Sequence, residues 1–445
     1  MPLFFFSLFA CVLVILSSPS FFPLIENDSF SYINNESIRL SLYPYLIDLF
    51  GENLKMVVYF QIIVFSVSIA SIVLALKKKK ICSILILIFL FLILVNIYYT
   101  SFTKTILTES LFISFINFSV AVIIIYKDTK FKNILSILLG LFLGLIISIR
   151  HEALIIALFI SCMLIYFEIS KNNKRIIIFL FMILTVPTFE INKFYSENIT
   201  RDSVIEKSIK GKIFMLSGFE DFDNSRLSHM QQSYIDESIA SSKKINSFLN
   251  QIKNPYLRNN LYSDYEVVAQ YQLDEFANTD IFENGKYTKE FEKNLLIDII
   301  KSNPTIFIKL SLHHYLTLWM PGGKQIFLDK SITKNKSEIP FDELLIKSSG
   351  EIKSLRSIFI LLGLIFFQIL MIFSVISLVF VMINLFNKRF TDDIYFSCFT
   401  LIIHTHLLTI SFLNIGSPRY LMPVYSLILI CLILALDKYL IKKYK

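Results

Sequence analysis

Residues 134–169 read "ILSILLGLFLGLIISIRHEALIIALFISCMLIYFEI", an apolar stretch interrupted near its middle by Arg150, His151 and Glu152. A helix crosses the hydrocarbon core of a bilayer in roughly 20 residues, so this stretch is too long for one straight span. It is flanked by "KDTKFK" (127–132) and "KNNKR" (171–175), two basic clusters of the kind that stays in the cytoplasm. Both ends then lie on one side. The stretch must cross twice and turn at "RHE" on the outer side.

The same bookkeeping extends along the chain. Further apolar runs cover about 3–24, 56–76, 81–99, 109–126, 176–192, 357–386, 392–413 and 420–437, and with the two of the hairpin they predict ten spans. The clusters "KKKK" (77–80), "NKR" (387–389) and the terminal "KKYK" join the other two inside. Segments 25–54, 100–108, 193–354 and "GSPR" (416–419) fall outside. One face therefore collects Asp28, Glu109, Arg150, Glu152 and Arg419.

Composition supports a polytopic membrane protein. The chain has 445 residues, 55% hydrophobic and 18% charged, with a mean hydropathy of +0.62, too apolar for an ordinary soluble domain. The net charge of +8 sits in short loops, where it sets topology and meets lipid headgroups, so it does not point to nucleic acid. Five cysteines lie in apolar runs with no CxxC pair, which reads as small buried hydrophobes rather than disulfides or a zinc site. The N-terminal "MPLFFFSLFACVLVILSSPSFF" lacks a basic n-region and a small-x-small cleavage site, and is expected to remain as the first span.

The stretch "PTIFIKLSLHHYLTLWM" (304–320) differs from these runs. Thr305, Lys309, His313 and Thr317 form a polar stripe on an apolar helix, as expected for a helix lying in the headgroup region. Counting it as a span would break the parity of "NKR". Segment 193–303, charged and poor in Gly and Pro, is expected to be a helical extracytoplasmic insertion. The chain thus divides into an N-terminal transmembrane module (1–192) containing the first outer loop (25–54), an extracytoplasmic segment (193–354) and a C-terminal transmembrane module (355–445). The run 357–386 exceeds one straight span and predicts a tilted or projecting helix.

Ionisable groups at a membrane are costly and are functional candidates, each with a plainer alternative. Asp28 is a functional acid, or a loop acid or helix cap in "NDS". Glu109 starts a span, where the helix dipole alone favours an acid. Arg150 and Glu152 pair with each other or bind substrate. Arg419 snorkels, or grips an anion such as a lipid phosphate. His404 and His406 are two residues apart on a helix and point in different directions, which disfavours a shared metal. No Walker motif, HExxH or nucleophile elbow occurs.

Taken in order, these pieces resemble the GT-C superfamily of polyprenyl-phosphate-sugar glycosyltransferases, which includes the protein O-mannosyltransferases and lipid A aminoarabinose transferases. Asp28, Ser29, Tyr32 and Tyr43-Pro44 resemble its "DSxxY…YP" first outer loop. "LTESLF" (107–112) resembles the acidic start of its fourth span. "LLGLFLGLIISIRHEALII" (138–156) resembles its "GLxxGLxxxxRxE" hairpin, and "SPRYLMPVYSLILI" (417–430) its closing "RYxxPxxP" span, with Tyr425 and Ser426 where a second proline is common. "NPTIFIKLSLHHYLTLW" resembles a "P…W" helix before the late spans. The likeness covers most of 1–192 and 304–440.

The resemblance implies an all-α, GT-C-like bundle and inverting transfer of a sugar from a polyprenyl phosphate to a lipid, glycan or protein acceptor. Asp28 would be the general base, with Glu109 assisting. Arg419 and Arg150 would neutralise the leaving phosphate. Tyr32, Glu152, His404 and Tyr420 would contact substrate. No metal or other cofactor is expected. The expected site faces the extracytoplasmic side of a bacterial inner membrane. An oligosaccharide polymerase or O-antigen ligase, with outer arginines on a pyrophosphate, is the nearest alternative. A transporter or flippase is another, although no internal repeat is evident.

Overall fold

The computed structural model describes residues 2–17, 23–25, 27–35, 40, 42–150, 152–169, 173–196, 202–219, 221–237, 239–240, 288–319, 355–387, 393–413 and 418–438. Regular structure among them is helical, apart from one isolated bridge between Leu24 and Thr105.

The N-terminal helices are α1 (Pro2–Ser17), α2 (Asn27–Ile33), α3 (Leu42–Leu49), α4 (Leu54–Lys78), α5 (Ser83–Val95), α6 (Ile97–Ser101), α7 (Glu109–Tyr126), α8 (Lys132–Ile149), α9 (Ala153–Glu168) and α10 (Asn173–Ser196). They are followed by α11 (Asp202–Ser217), α12 (Lys289–Ser302), α13 (Pro304–Leu318), α14 (Leu355–Phe386), α15 (Ile394–Leu413) and α16 (Met422–Leu436). Short 3₁₀ turns cover Phe102–Lys104 and Pro418–Tyr420.

Among the described residues, five helices are long and apolar enough to cross a membrane: α4, α7, α8, the Ile365–Phe386 part of α14, and α15. A sixth crossing would join α5 to residues 98–104 through a bend of 64°. The bend falls at Asn96, whose side chain accepts from the Tyr99 amide at 3.0 Å and so starts a new helix. Tyr425 OH donates to the Leu92 carbonyl at 3.1 Å, satisfying backbone that the break exposes. Helices α1, α9 and α16 are apolar but shorter. The molecule is therefore a helical membrane protein.

Two devices pack the bundle where lipid offers no hydrophobic drive. The first is close approach. Gly140 and Gly144 make a G-x-x-x-G step on α8. A Cβ at Gly140 would come within 2.7 Å of Met182 Cβ and the Phe179 carbonyl, so α10 rests directly on this glycine. The second is polar bonding inside the core. Asn117 on α7 donates to Ser68 on α4 at 3.2 Å and accepts from Ser426 on α16 at 2.5 Å. All three are buried.

Charged residues mark two ends. At one, Lys79 pairs with Asp128 at 2.6 Å, and Lys132 and Arg175 meet Glu168 at 3.4 and 2.8 Å. There too Lys438 pairs with Asp393, and Asp437 accepts from the Cys82 amide at 3.1 Å. Lys79, Lys132 and Arg175, one from each of three basic clusters, thus lie at the same end as the feet of α15 and α16. Helices α7, α8, α9 and α16 run from this end to the other, where Glu109, Arg150, Glu152 and Arg419 lie.

A second, smaller core sits beside the bundle. Ile213, Phe214 and Leu216 of α11 pack with Tyr234, with Leu295 and Ile299 of α12, and with Ile306 and Leu310 of α13. Leu318 and Trp319 belong instead to the main core. Helix α13 therefore joins the insertion to the bundle. Its Ile308, Leu312 and Leu316 remain exposed beside Thr305 and Lys309, an apolar ridge next to a polar one. Thr317, read from the sequence as part of the polar stripe, is buried. Residues 241–287 and 320–354 lie outside the described residues.

Candidate functional site

The site begins with a short backbone splice. The Leu24 amide donates to the Lys104 carbonyl at 2.8 Å, and the Ile106 amide donates to the Leu24 carbonyl at 3.0 Å. Leu24 precedes Asp28 by one helical turn, and Ile106 precedes Glu109 by about the same. This splice brings the starts of α2 and α7 together.

Side chains reinforce it. Gln61 on α4 donates to the Thr103 and Thr105 carbonyls at 3.1 and 2.9 Å and accepts from Tyr43 OH at 2.5 Å. The Tyr43 ring meets Tyr32 edge-on, with centroids 5.3 Å apart. Tyr32 OH lies 3.5 Å from Thr108 Oγ1, beside Glu109. The "DSxxY…YP" residues thus brace α2 against α4 and α7.

On this frame Asp28 occupies the first turn of α2. Its carboxylate is engaged beyond its own helix: Arg419 Nη1 donates to Asp28 Oδ2 at 2.8 Å. Arg419 Nε lies 3.8 Å from Glu109 Oε1. The closer partner of Glu109 is Arg150, with Nη1 at 2.7 Å from the same oxygen. Arg150 also reaches Glu152, Nε to Oε2 at 3.3 Å. The Tyr420 ring lies 5.4 Å from each guanidinium carbon, and Phe112 lies 5.8 Å from that of Arg150, both within cation–π range.

The two pairs differ in depth. The Glu109 side chain is 2% exposed and Arg150 11%, whereas Asp28 is 36% and Arg419 26%. Removing one partner of a buried pair costs about 3–5 kcal/mol, because the other charge is stranded. An exposed pair contributes about 0–1 kcal/mol. Glu109–Arg150 is the deeper pair, and Asp28–Arg419 is the half-buried one. Burial opposes the charge on both arginines; Glu152 and Glu109 more than restore it on Arg150, and Tyr420, Glu109 and Asp28 do so on Arg419. Burial likewise opposes the Glu152 carboxylate, but Arg150 outweighs it and holds the carboxyl at about 2.

Of the residues singled out from the sequence, Asp28, Glu109, Arg150, Glu152, Arg419 and Tyr420 meet in one cluster, and Tyr32 supports it. His404 does not join them. Its Nδ1 lies 2.8 Å from Tyr315 OH on α13 and its Nε2 lies 3.0 Å from Ser374 Oγ on α14, so it ties three helices. The neighbouring His406 is the one at the cluster, with Nε2 3.2 Å from the Tyr420 carbonyl. Residues two apart on a helix point in different directions, and only the packing of α15 decides which faces the site.

Sequence reading also passed over Thr108, Gln61 and Phe112, which carry no charge to flag them. It passed over Glu168 and Lys212, whose burial is tertiary. Among the described residues no group of three His, Cys, Asp or Glu side chains is arranged to hold a metal ion. The cluster sets two guanidiniums among the Asp28, Glu109 and Glu152 carboxylates, an arrangement that offers both oriented cationic donors and a proton acceptor. Comparisons with protein-family models, with curated proteins and with solved structures give no match for this chain.

Proposed function

We propose that the protein is an integral-membrane glycosyltransferase of GT-C type, transferring a sugar from a polyprenyl-phosphate donor to a lipid, glycan or protein hydroxyl with inversion. The observation that carries this reading is the meeting of Asp28 with Arg419, Glu109 and Arg150 at one end of the bundle, from segments 391 residues apart in the chain. An acid beside two arginines matches the needs of the reaction. A base must take the acceptor proton, and cations must receive the charge that develops on the leaving phosphate.

In this reading Asp28 is the base, and Arg419 holds the leaving phosphate with Arg150 behind it. Glu109 fixes Arg150 rather than moving a proton. Tyr420 keeps both guanidiniums aligned. The ten apolar runs correspond to α1, α4, α5 with α6, α7, α8, α9, α10, α14, α15 and α16 as spans. Helix α13, with its paired apolar and polar ridges, lies at the membrane surface. The reading sets the site on the extracytoplasmic side of a bacterial inner membrane, and the basic residues at the opposite end support that sidedness. There α9 and α16, at 16 and 15 residues, are only about 22–24 Å long, which would recess the site to the depth of a lipid phosphate.

The test is sugar transfer in proteoliposomes supplied with polyprenyl-phosphate sugars. Asp28→Asn should abolish transfer without altering the folded yield. Near-wild-type transfer would remove Asp28 as base and favour an arginine-only ligase or polymerase.

A further inference from the structure

We infer that His406 is a positioning residue for the transfer: from α15 it holds the Tyr420 carbonyl and so sets the turn that aims Arg419 at the phosphate of the lipid-linked donor. This rests on the glycosyl-transfer reading above.

The turn draws a tie from outside its own helix. Pro418–Tyr420 carries the Arg419 guanidinium, which meets Asp28 at 2.8 Å. It also carries the Tyr420 ring, 5.4 Å from the guanidinium carbons of both Arg419 and Arg150. Helix α16 follows at once, yet Pro423 in its first turn has no N–H with which to reach back to the Arg419 carbonyl. The Val424 amide donates to the Leu421 carbonyl at 3.1 Å, just past the turn.

His406 supplies the tie. Its Nε2 lies 3.2 Å from the Tyr420 carbonyl. A carbonyl only accepts, so Nε2 carries the proton and donates, and in the neutral ring Nδ1 is left as an acceptor. Nδ1 is buried and has no hydrogen-bond partner among the described residues. His404 differs, because both its nitrogens are engaged, by Tyr315 OH at 2.8 Å and Ser374 Oγ at 3.0 Å. Burying an unpaired polar atom is costly, so packing alone would favour an apolar ring at position 406. What histidine adds over such a ring is the single N–H on Tyr420. His406 therefore acts through the backbone of the turn, one residue from Arg419, and touches no reacting atom itself.

The experiment uses the full-length protein in nanodiscs and farnesyl phosphate as the lipid phosphate. An Asn amide nitrogen sits near the Nδ1 position, short of Tyr420, whereas that of Gln reaches the Nε2 position. His406→Asn should bind farnesyl phosphate roughly two- to tenfold more weakly than wild type, the scale of one lost hydrogen bond, and His406→Gln should recover most of that loss. Where the cavity left by Asn prevents folding, His406→Phe fills it without an N–H and carries the same expectation. A second readout follows the arginines directly. Phenylglyoxal modification, resolved by peptide mass spectrometry, should speed up at Arg419 in His406→Asn, while Arg150, held by Glu109 at 2.7 Å, keeps its wild-type rate. Equal binding by the Asn and Gln variants, or labelling that does not rise selectively at Arg419, reduces His406 to packing and overturns the inference while leaving the enzyme reading intact. Failure of wild type to bind farnesyl phosphate overturns the glycosyl-transfer reading and the phosphate role of the turn together.

Discussion

Arg419 donates to Asp28 across 391 positions of chain, closing the turn before α16 against the first turn of α2 at 2.8 Å. The contact joins the two ends of the sequence at the point where the proposed chemistry occurs. Substitution can separate this tie from the phosphate clamp proposed for Arg419.

Arg419→Lys keeps the charge but replaces a planar fork with a point charge. It should retain the tie to Asp28 yet hold phosphate poorly. We expect the transfer rate to fall about 100-fold, the scale for losing one oriented donor to a developing anion. The donor KM should rise more than the acceptor KM. Equal effects on both substrates would argue against a phosphate clamp.

Glu109→Gln leaves Arg150 with Glu152 as its remaining carboxylate in this cluster. Stability in detergent should drop by about 3 kcal/mol, read as a lowered unfolding midpoint. The double variant Glu109→Gln/Arg150→Gln should be less damaged than the two single losses added, since neither charge is stranded. Additive losses would mean that the pair is not coupled.

Gly140→Leu puts a side chain where α10 backbone lies within 2.7 Å. Overpacking should cost about 1–3 kcal/mol and loosen α10. Protease or cysteine-labelling access near Phe179 and Met182 would report it. An unchanged midpoint and unchanged access would show that α8 and α10 are not in contact in the membrane.

Lys212 on α11 is buried, donates to the Ser411 carbonyl at 3.2 Å and lies 3.1 Å from His314 Nδ1. Burial lowers its ammonium from 10.5 to about 7. Between those values the unfolded chain binds the extra proton, so stability should rise with pH from about 7 towards 10. Lys212→Gln should flatten that slope in pH-dependent unfolding or hydrogen exchange of α11. A slope unchanged in Lys212→Gln would assign it to another group.

Much of this was legible in one dimension because membranes impose simple rules. Apolar run length marks helices, and Lys and Arg between them mark a common side. From these alone Asp28, Glu109, Arg150, Glu152 and Arg419 were expected on one face, and the structure brings them into one cluster. Gly140 and Gly144 were visible within the hairpin motif, although the packing of α10 on Gly140 was not.

Pairing was not legible. Asp28 could equally have capped α2, and Arg419 could have snorkelled, because each is locally satisfied by its own helix end or by water. What sends them to each other is the Leu24–Ile106 splice and the packing of α16 against α5 and α7. His404 and His406 likewise differ only by the rotation of α15. Apolar run lengths and the charges between them already specify a helical membrane protein with its charges sorted to two ends, since a bilayer penalises any other distribution. Only tertiary structure decided which carboxylate each arginine holds, because that depends on approaches of a few ångströms between helices far apart in the chain.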